Sequence, residues 1–133
     1  MENCIFCKFV NNEAEHSRIW EDEVSIAFLD LYPVNPGHVL LVPKAHIDYI
    51  FDLDGALYHR LWDNAKKLAG PLREIAGSKR VGIAVEGFGV PHVHIHLVPI
   101  NRGNELDPNR AQKADPEDLK RFSAALLKKL SPA

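Results

Sequence analysis

No stretch of the sequence comes near the ~20 consecutive apolar residues of a membrane-spanning helix, and no basic start leads into an apolar run as in a signal peptide. The chain is therefore expected in the cytoplasm, without a membrane partner. It also lacks a long basic run: 16 Lys and Arg stand against 18 Asp and Glu, a net charge of −2. Affinity for a nucleic-acid backbone depends on clustered cations, so that class of partner is not expected. Cysteine is scarce. The two present, Cys4 and Cys7, are too close in sequence to staple distant parts of a fold. In a reducing compartment a C-x-x-C pair is more often a metal half-site or a redox motif. Repeats, low-complexity tracts and linkers are missing as well, so the 133 residues are expected to form one domain, 1–133. That length can close a hydrophobic core without staples.

What is present alternates strand and helix signals. Val24–Leu29 is rich in strand formers and follows the polar turn Glu21-Asp-Glu23. Pro33-Val-Asn-Pro-Gly37 is a turn cluster, and His38–Val42 is an apolar run stopped by Pro43, a second strand. Asp54 can cap a helix in which Leu57, Leu61, Ala65, Leu68, Leu72 and Ile75 recur at helical spacing, ending near Gly77. Gly70-Pro71 should kink or divide it. Val81–Val85 and His92–Val98 read as two more strands, antiparallel neighbours joined by the short Glu86–Val90 connection. Asn101–Ala114 is expected to be a long loop or mobile segment. Asp115-Pro116 then opens a last helix with Leu119, Phe122, Leu126 and Leu130 on one stripe. The sum is an α+β fold.

The chain has seven histidines and places three of them at alternate positions, His92, His94 and His96. On a strand they share one face, roughly 6.5–7 Å apart per step, while Val93, Ile95 and Leu97 face a core. Exposed strand faces usually carry Thr, Lys, Glu or Gln, so three imidazoles imply a polar, concave face with a task. Imidazole suits two tasks, metal ligation or nucleophilic attack when neutral and phosphate handling when charged.

His92-Val-His-Ile-His-Leu-Val98 matches the signature of the histidine triad (HIT) family of nucleotide hydrolases and transferases. Cys4-Ile-Phe-Cys7, Asp30-Leu-Tyr-Pro33, Pro36-Gly-His38-Val-Leu-Leu-Val-Pro43 and Lys44-Ala-His46 resemble the same family, in its order, over residues 4 to 100. The resemblance implies a HIT-like α+β fold: an antiparallel sheet of about five strands, a long middle helix and a C-terminal helix, with a core at 4–100 and an appended loop and helix at 101–133. It also implies the chemistry. The central histidine, His94 here, attacks the α-phosphorus of a purine nucleotide conjugate, a phosphoramidate or dinucleoside polyphosphate, and water resolves the nucleotidyl-histidine. His92 and His96 contact phosphate oxygens or the leaving group, and His38 supports the triad. Asp30 accepts hydrogen bonds from the ribose, and Ile5, Phe6, Phe28 and Leu31 line the base pocket.

Each assignment has a plainer rival. His38 can be a satisfied core histidine, Asp30 a turn former ahead of Pro33, and the apolar residues simply core. Relatives with the cysteine pair also imply a closed structural zinc site of Cys4, Cys7, His46 and His92. A thioredoxin-like pair would need a helix start, which is not evident in the sequence, and two idle thiols are the blander alternative. His16 and His59 fall outside every block and are expected on the solvated surface. Many relatives carry Gln and Ser or Thr just ahead of the first triad histidine; Phe88 and Gly89 stand here, so backbone N–H groups of Gly87 or Gly89 are expected to substitute. Three functions follow: a hydrolase or a nucleotidyltransferase, with His96 favouring the hydrolase; a nucleotide-binding regulatory module with little catalysis; and a metallohydrolase, which would leave Cys4 and Cys7 without His92. A homodimer through the middle helix and edge strands is implied by the resemblance alone.

Overall fold

A computed structural model describes residues 3–14 and 16–131. The remaining residues of the expected 1–133 unit lie outside this description. Five strands, β1 (Ser17–Glu21), β2 (Ser25–Leu29), β3 (Val39–Pro43), β4 (Arg80–Ala84) and β5 (Ile95–Ile100), form one sheet in the order β1-β2-β3-β5-β4. Every neighbouring pair is antiparallel. Among the described residues three α-helices accompany it, α1 (Ile5–Val10), α2 (Gly55–Ala76) and α3 (Pro116–Leu130), with short 3-10 turns at Ile50–Asp52 and Pro108–Arg110. This is the expected α+β arrangement, with two elements, α1 and β1, that the sequence pattern did not reveal.

Alternation along the strands builds two cores. Ala27, Leu29, Val39, Leu41, Ile95 and Leu97 join Leu61, Leu68 and Leu72 of α2 and Phe122 and Leu126 of α3. On the opposite face Ile26, Phe28, Leu40 and Val42 meet Phe6, Phe9 and Cys4. Every residue of β2 and β3 is buried, which is why both read as continuous apolar runs.

Several expectations need correction. The middle helix is not divided at Gly70-Pro71: α2 runs for 22 residues with Pro71 inside it. A proline there costs about 3 kcal/mol. Leu68 and Leu72 on either side are each 1% exposed, and burying a leucine contributes about 1.5–3 kcal/mol, so the two together outweigh the break. Asp54 does cap the helix, accepting from the Leu57 N–H at 2.8 Å, and Gly77 ends it at φ 65°.

β5 begins at Ile95 rather than His92, because the preceding backbone bonds elsewhere: the Val93 N–H donates to Ile47 O and the His92 N–H to Val90 O. It also runs through Pro99 to Ile100. β3 accompanies β5 only as far as the Val39–Leu97 pair, so the missing Pro99 N–H leaves no ladder bond unmade on that side. The link from β4 to β5 is accordingly residues 85–94, longer than the short Glu86–Val90 turn.

The 101–114 segment is the expected loop, with one short 3-10 turn at Pro108–Arg110, and it is fastened rather than mobile. The carboxylate of Glu105, a buried side chain, accepts from the N–H groups of Asn101 (2.6 Å) and Arg102 (3.0 Å). Gln112 N–H reaches Pro33 O at 3.2 Å and Ala114 N–H reaches Leu31 O at 2.9 Å. The segment is thereby held against the turn before β3. That turn is tight: Gly37 has φ 87°, and a Cβ there would lie 2.8 Å from the Phe122 ring.

Candidate active site and metal-ligand cluster

All three triad histidines and His38 stand on or next to the face of the sheet opposite α2 and α3. His96 is in β5, registered between Leu40 of β3 and Ala84 of β4. His94 immediately precedes the strand, and its ring lies 5.0 Å from that of His96. His38, just ahead of β3, places Nε2 2.9 Å from His96 Nδ1. Phe6 meets His94 edge-on at 5.2 Å and packs on Phe28 at 5.4 Å. Phe6 and Phe28 are therefore buried core rings that also border the site, whereas Ile5 and Leu31 are exposed.

Fixed partners determine where the imidazole protons lie. A backbone carbonyl only accepts, so a ring nitrogen facing one must carry hydrogen. His94 Nδ1 lies 2.7 Å from His92 O, which leaves the lone pair of neutral His94 on Nε2. His92 Nε2 lies 2.8 Å from Pro43 O, which leaves its lone pair on Nδ1. His38 shows the converse: its Nδ1 accepts from the Val34 N–H at 3.1 Å, so its proton is on Nε2 and points at His96 Nδ1. His96 then presents an Nε2–H. Asp30 serves its turn, with Oδ1 accepting from the Tyr32 N–H at 2.8 Å, and also brings Oδ2 to 3.5 Å from His38 Nε2.

Burial pushes His96 down to about 4, and nearby His38 and His94 add to the shift against a pull upward from Asp30. Burial also lowers His38, with Asp30 opposing. At neutral pH both are therefore uncharged, in keeping with the directed chain from Val34 through His38 to His96.

The second group is Cys4, Cys7, His46 and His92, whose ligand atoms all lie within 4.8 Å of one another. His92 Nδ1 is 3.4 Å from Cys4 Sγ and 3.5 Å from Cys7 Sγ, and His46 Nδ1 is 3.2 Å from Cys7 Sγ. The donor set fits a tetrahedral thiophilic ion, because the Pro43 bond leaves the Nδ1 lone pair of His92 facing the sulfurs. Cys4 caps α1, its Sγ accepting from the Cys7 N–H at 3.4 Å, so the pair does sit at a helix start after all. Asp30, His38 and His96 also cluster. Their protons oppose a metal: His38 would need its Nε2 free, yet Val34 donates to the other nitrogen.

His59 is exposed as expected, but His16 is not a free surface residue. It is half-buried, its ring stacked on Phe9 at 4.9 Å and tied to Ala14 O and the Arg18 guanidinium. Phe88 points into solvent, 85% exposed, and Gly87 and Gly89 take left-handed φ of 84° and 87°. Sequence reasoning missed Val34, whose N–H orients His38, and Glu105; a backbone donor leaves no side-chain signal, and a glutamate among polar residues looks like solvated loop.

A model of the HIT domain matches residues 11–103. The chain belongs to the HIT family. Among its relatives, adenosine 5'-monophosphoramidase HNT1 of Saccharomyces cerevisiae is 30% identical, over 96% of this chain and 82% of that protein. A Hit-like protein involved in cell-cycle regulation from Bartonella henselae has the same fold, with a TM-score of 0.86, 27% identity and 98% of each chain covered. A zinc-bound histidine triad family protein from Mycobacterium smegmatis matches with a TM-score of 0.79 and 28% identity over 96% of each chain. Like these HIT proteins, this chain is an α+β domain of antiparallel sheet and helices. Among its described residues no helix is long and apolar enough to cross a membrane.

Proposed function

We propose that the protein hydrolyses purine nucleotide conjugates at the α-phosphate, through a nucleotidyl intermediate on His94. One observation carries this: the 2.7 Å bond from His94 Nδ1 to His92 O, which fixes the Nδ1–H tautomer and leaves the nucleophilic lone pair on Nε2. In the first step a bond forms between Nε2 and phosphorus. The bond to the leaving group breaks, and the leaving atom keeps the electron pair and takes up one proton. In the second step water adds to phosphorus and gives up one proton, and His94 departs. Neutral His96 acts by its Nε2–H, a hydrogen bond to the leaving atom, while the protons exchange with solvent. His38 holds His96 in that tautomer. Asp30 takes the ribose hydroxyls, and Phe6, Phe28, Ile5 and Leu31 border the base. The existence of a phosphoramidase among the relatives supports the substrate class.

Cys4, Cys7, His46 and His92 would hold a zinc ion, whose contribution is a closed structural cross-link. A zinc-bound relative supports this choice of metal. The whole chain acts as one HIT domain and pairs as a homodimer, with β4, an edge strand carrying the exposed Ile83, as one contact. His94→Ala is expected to lower kcat by at least about 10³-fold while nucleotide Kd changes less than about threefold, measured by steady-state turnover and titration. Wild-type turnover in that variant contradicts the assignment.

A further inference from the structure

Cys4 and Cys7 differ in a way that metal binding does not require. Cys4 caps α1, is 4% exposed and lies in the core cluster with Phe6, Phe9 and Phe28, whereas Cys7 is only half-buried. Their sulfurs lie within 4.8 Å of each other, and Cys4 Sγ is 3.4 Å from the Cys7 backbone nitrogen. A disulfide needs the sulfurs at about 2.05 Å, a closure within reach of side-chain rotation at residues three apart. Access from solvent is unequal. A cavity of about 330 Å³ has Cys7, Lys8, Lys44 and His46 in its walls, with exposed Asn11 and Glu13 at its mouth. Cys4 does not border it.

We propose that Cys4 and Cys7 are a reversible oxidation site for hydroperoxides, and that their disulfide lowers the hydrolysis at His94. The control of turnover rests on the triad hydrolysis and the zinc site given above. Cys7 Sγ, the sulfur that the cavity reaches, attacks one oxygen of the peroxide and the O–O bond breaks. The departing oxygen leaves as water or an alcohol, and Cys7 becomes a sulfenic acid. Cys4 Sγ then attacks the Cys7 sulfur, the S–O bond breaks and its oxygen leaves as water. Two electrons pass from the sulfurs to the peroxide; the protons come from the thiols, or from solvent where a metal holds thiolates. A thiol reductant reverses the change through a mixed disulfide. Two contacts carry the consequence to the triad. The disulfide takes both sulfurs from His92 Nδ1, which lies 3.4 Å and 3.5 Å from them, and takes Cys7 from His46, so a metal there would lose both thiolate ligands. Phe6, between the two cysteines, meets His94 edge-on at 5.2 Å and His92 at 6.0 Å. Drawing the cysteines together therefore displaces the ring that flanks the attacking imidazole.

The test treats full-length, zinc-loaded protein with hydrogen peroxide and reads intact mass, zinc release to a colorimetric chelator, and turnover of adenosine 5'-phosphoramidate. A loss of about 2 Da with release of about one zinc per chain is expected, both reversed by dithiothreitol and added zinc. In the oxidised protein kcat/KM should fall at least about tenfold and recover with the reductant. Dimedone present during oxidation should label Cys7 in Cys4→Ser, whereas Cys4 should stay unlabelled in Cys7→Ser. Where a serine variant does not fold, peptide mapping of the dimedone-treated wild type gives the same order. No mass loss in the wild type, or labelling of Cys4 ahead of Cys7, overturns the site. A disulfide with unchanged kcat/KM overturns the control of turnover. Reduced protein without turnover contradicts the hydrolysis reading instead, and reduced protein that binds no zinc contradicts the metal reading. In either case the mass change by itself still decides for or against the disulfide.

Discussion

His92 uses every polar atom it has. Its Nε2–H is held by Pro43 O, its Nδ1 faces two thiols, and its carbonyl accepts from His94. One residue therefore joins the cysteine cluster to the imidazole next to it. At the same scale the buried histidines make stability depend on pH. The pKa of His96 is lowered on folding to about 4, and that of His38 is lowered too. An unfolded histidine takes up its proton near 6.5. Above that value neither state is charged and the groups contribute nothing. As pH falls from about 6.5 toward 4, the unfolded chain binds protons that the folded chain does not, so stability falls. The urea midpoint should accordingly drop between pH 7 and pH 5, and His96→Asn should flatten the slope. An unchanged slope in that variant would mean that folding does not lower the pKa of His96.

At the scale of elements, α2 carries a defect that its packing tolerates. Pro71→Ala restores one N–H to the helix and relieves the ring from the carbonyl of Lys67, at the loss of some stiffness in the unfolded chain. It should stabilise the protein by roughly 1–2 kcal/mol by urea denaturation. A lower midpoint would show that the helix is shaped around the proline. Elements were legible in the sequence according to how they are buried. β2 and β3, buried on both faces, announced themselves as apolar runs, and α2 and α3 by their stripes and caps. β1 is an edge strand with only Ile19 buried and a bulge between Arg18 and Trp20, so it has no clean alternation. α1 has six residues, too few for a period to show. The start of β5 was misplaced because His92 and Val93 continue the strand's alternation while their backbone bonds leave the ladder. For the site, spacing alone pointed to His92, His94 and His96; bringing in His38, Asp30, His46 and the cysteines depended on family resemblance. The tautomers depend on Pro43 O, Val34 N–H and His92 O, which no side-chain pattern encodes.

For the molecule as a whole, the sheet divides the labour. One face buries the core under α2 and α3, and the other carries the histidines, with α1 closing one end. A metal at Cys4, Cys7, His46 and His92 would tie that end to the sheet through residues 88 positions apart. Cys4→Ala should lower zinc content, measured by elemental analysis. It should also cost about 2 kcal/mol, a Tm decrease on the order of 6–10 °C for a chain of this size, with a smaller effect on nucleotide affinity. Full zinc occupancy in Cys4→Ala would remove that cysteine from the ligand set.

The central claim is covalent chemistry at His94, and intact-protein mass spectrometry after rapid quenching with an adenosine phosphoramidate addresses it directly. The expected result is a transient added mass of one adenylyl group that is missing in His94→Ala. Turnover without any adduct, or an adduct that persists in His94→Ala, would contradict it.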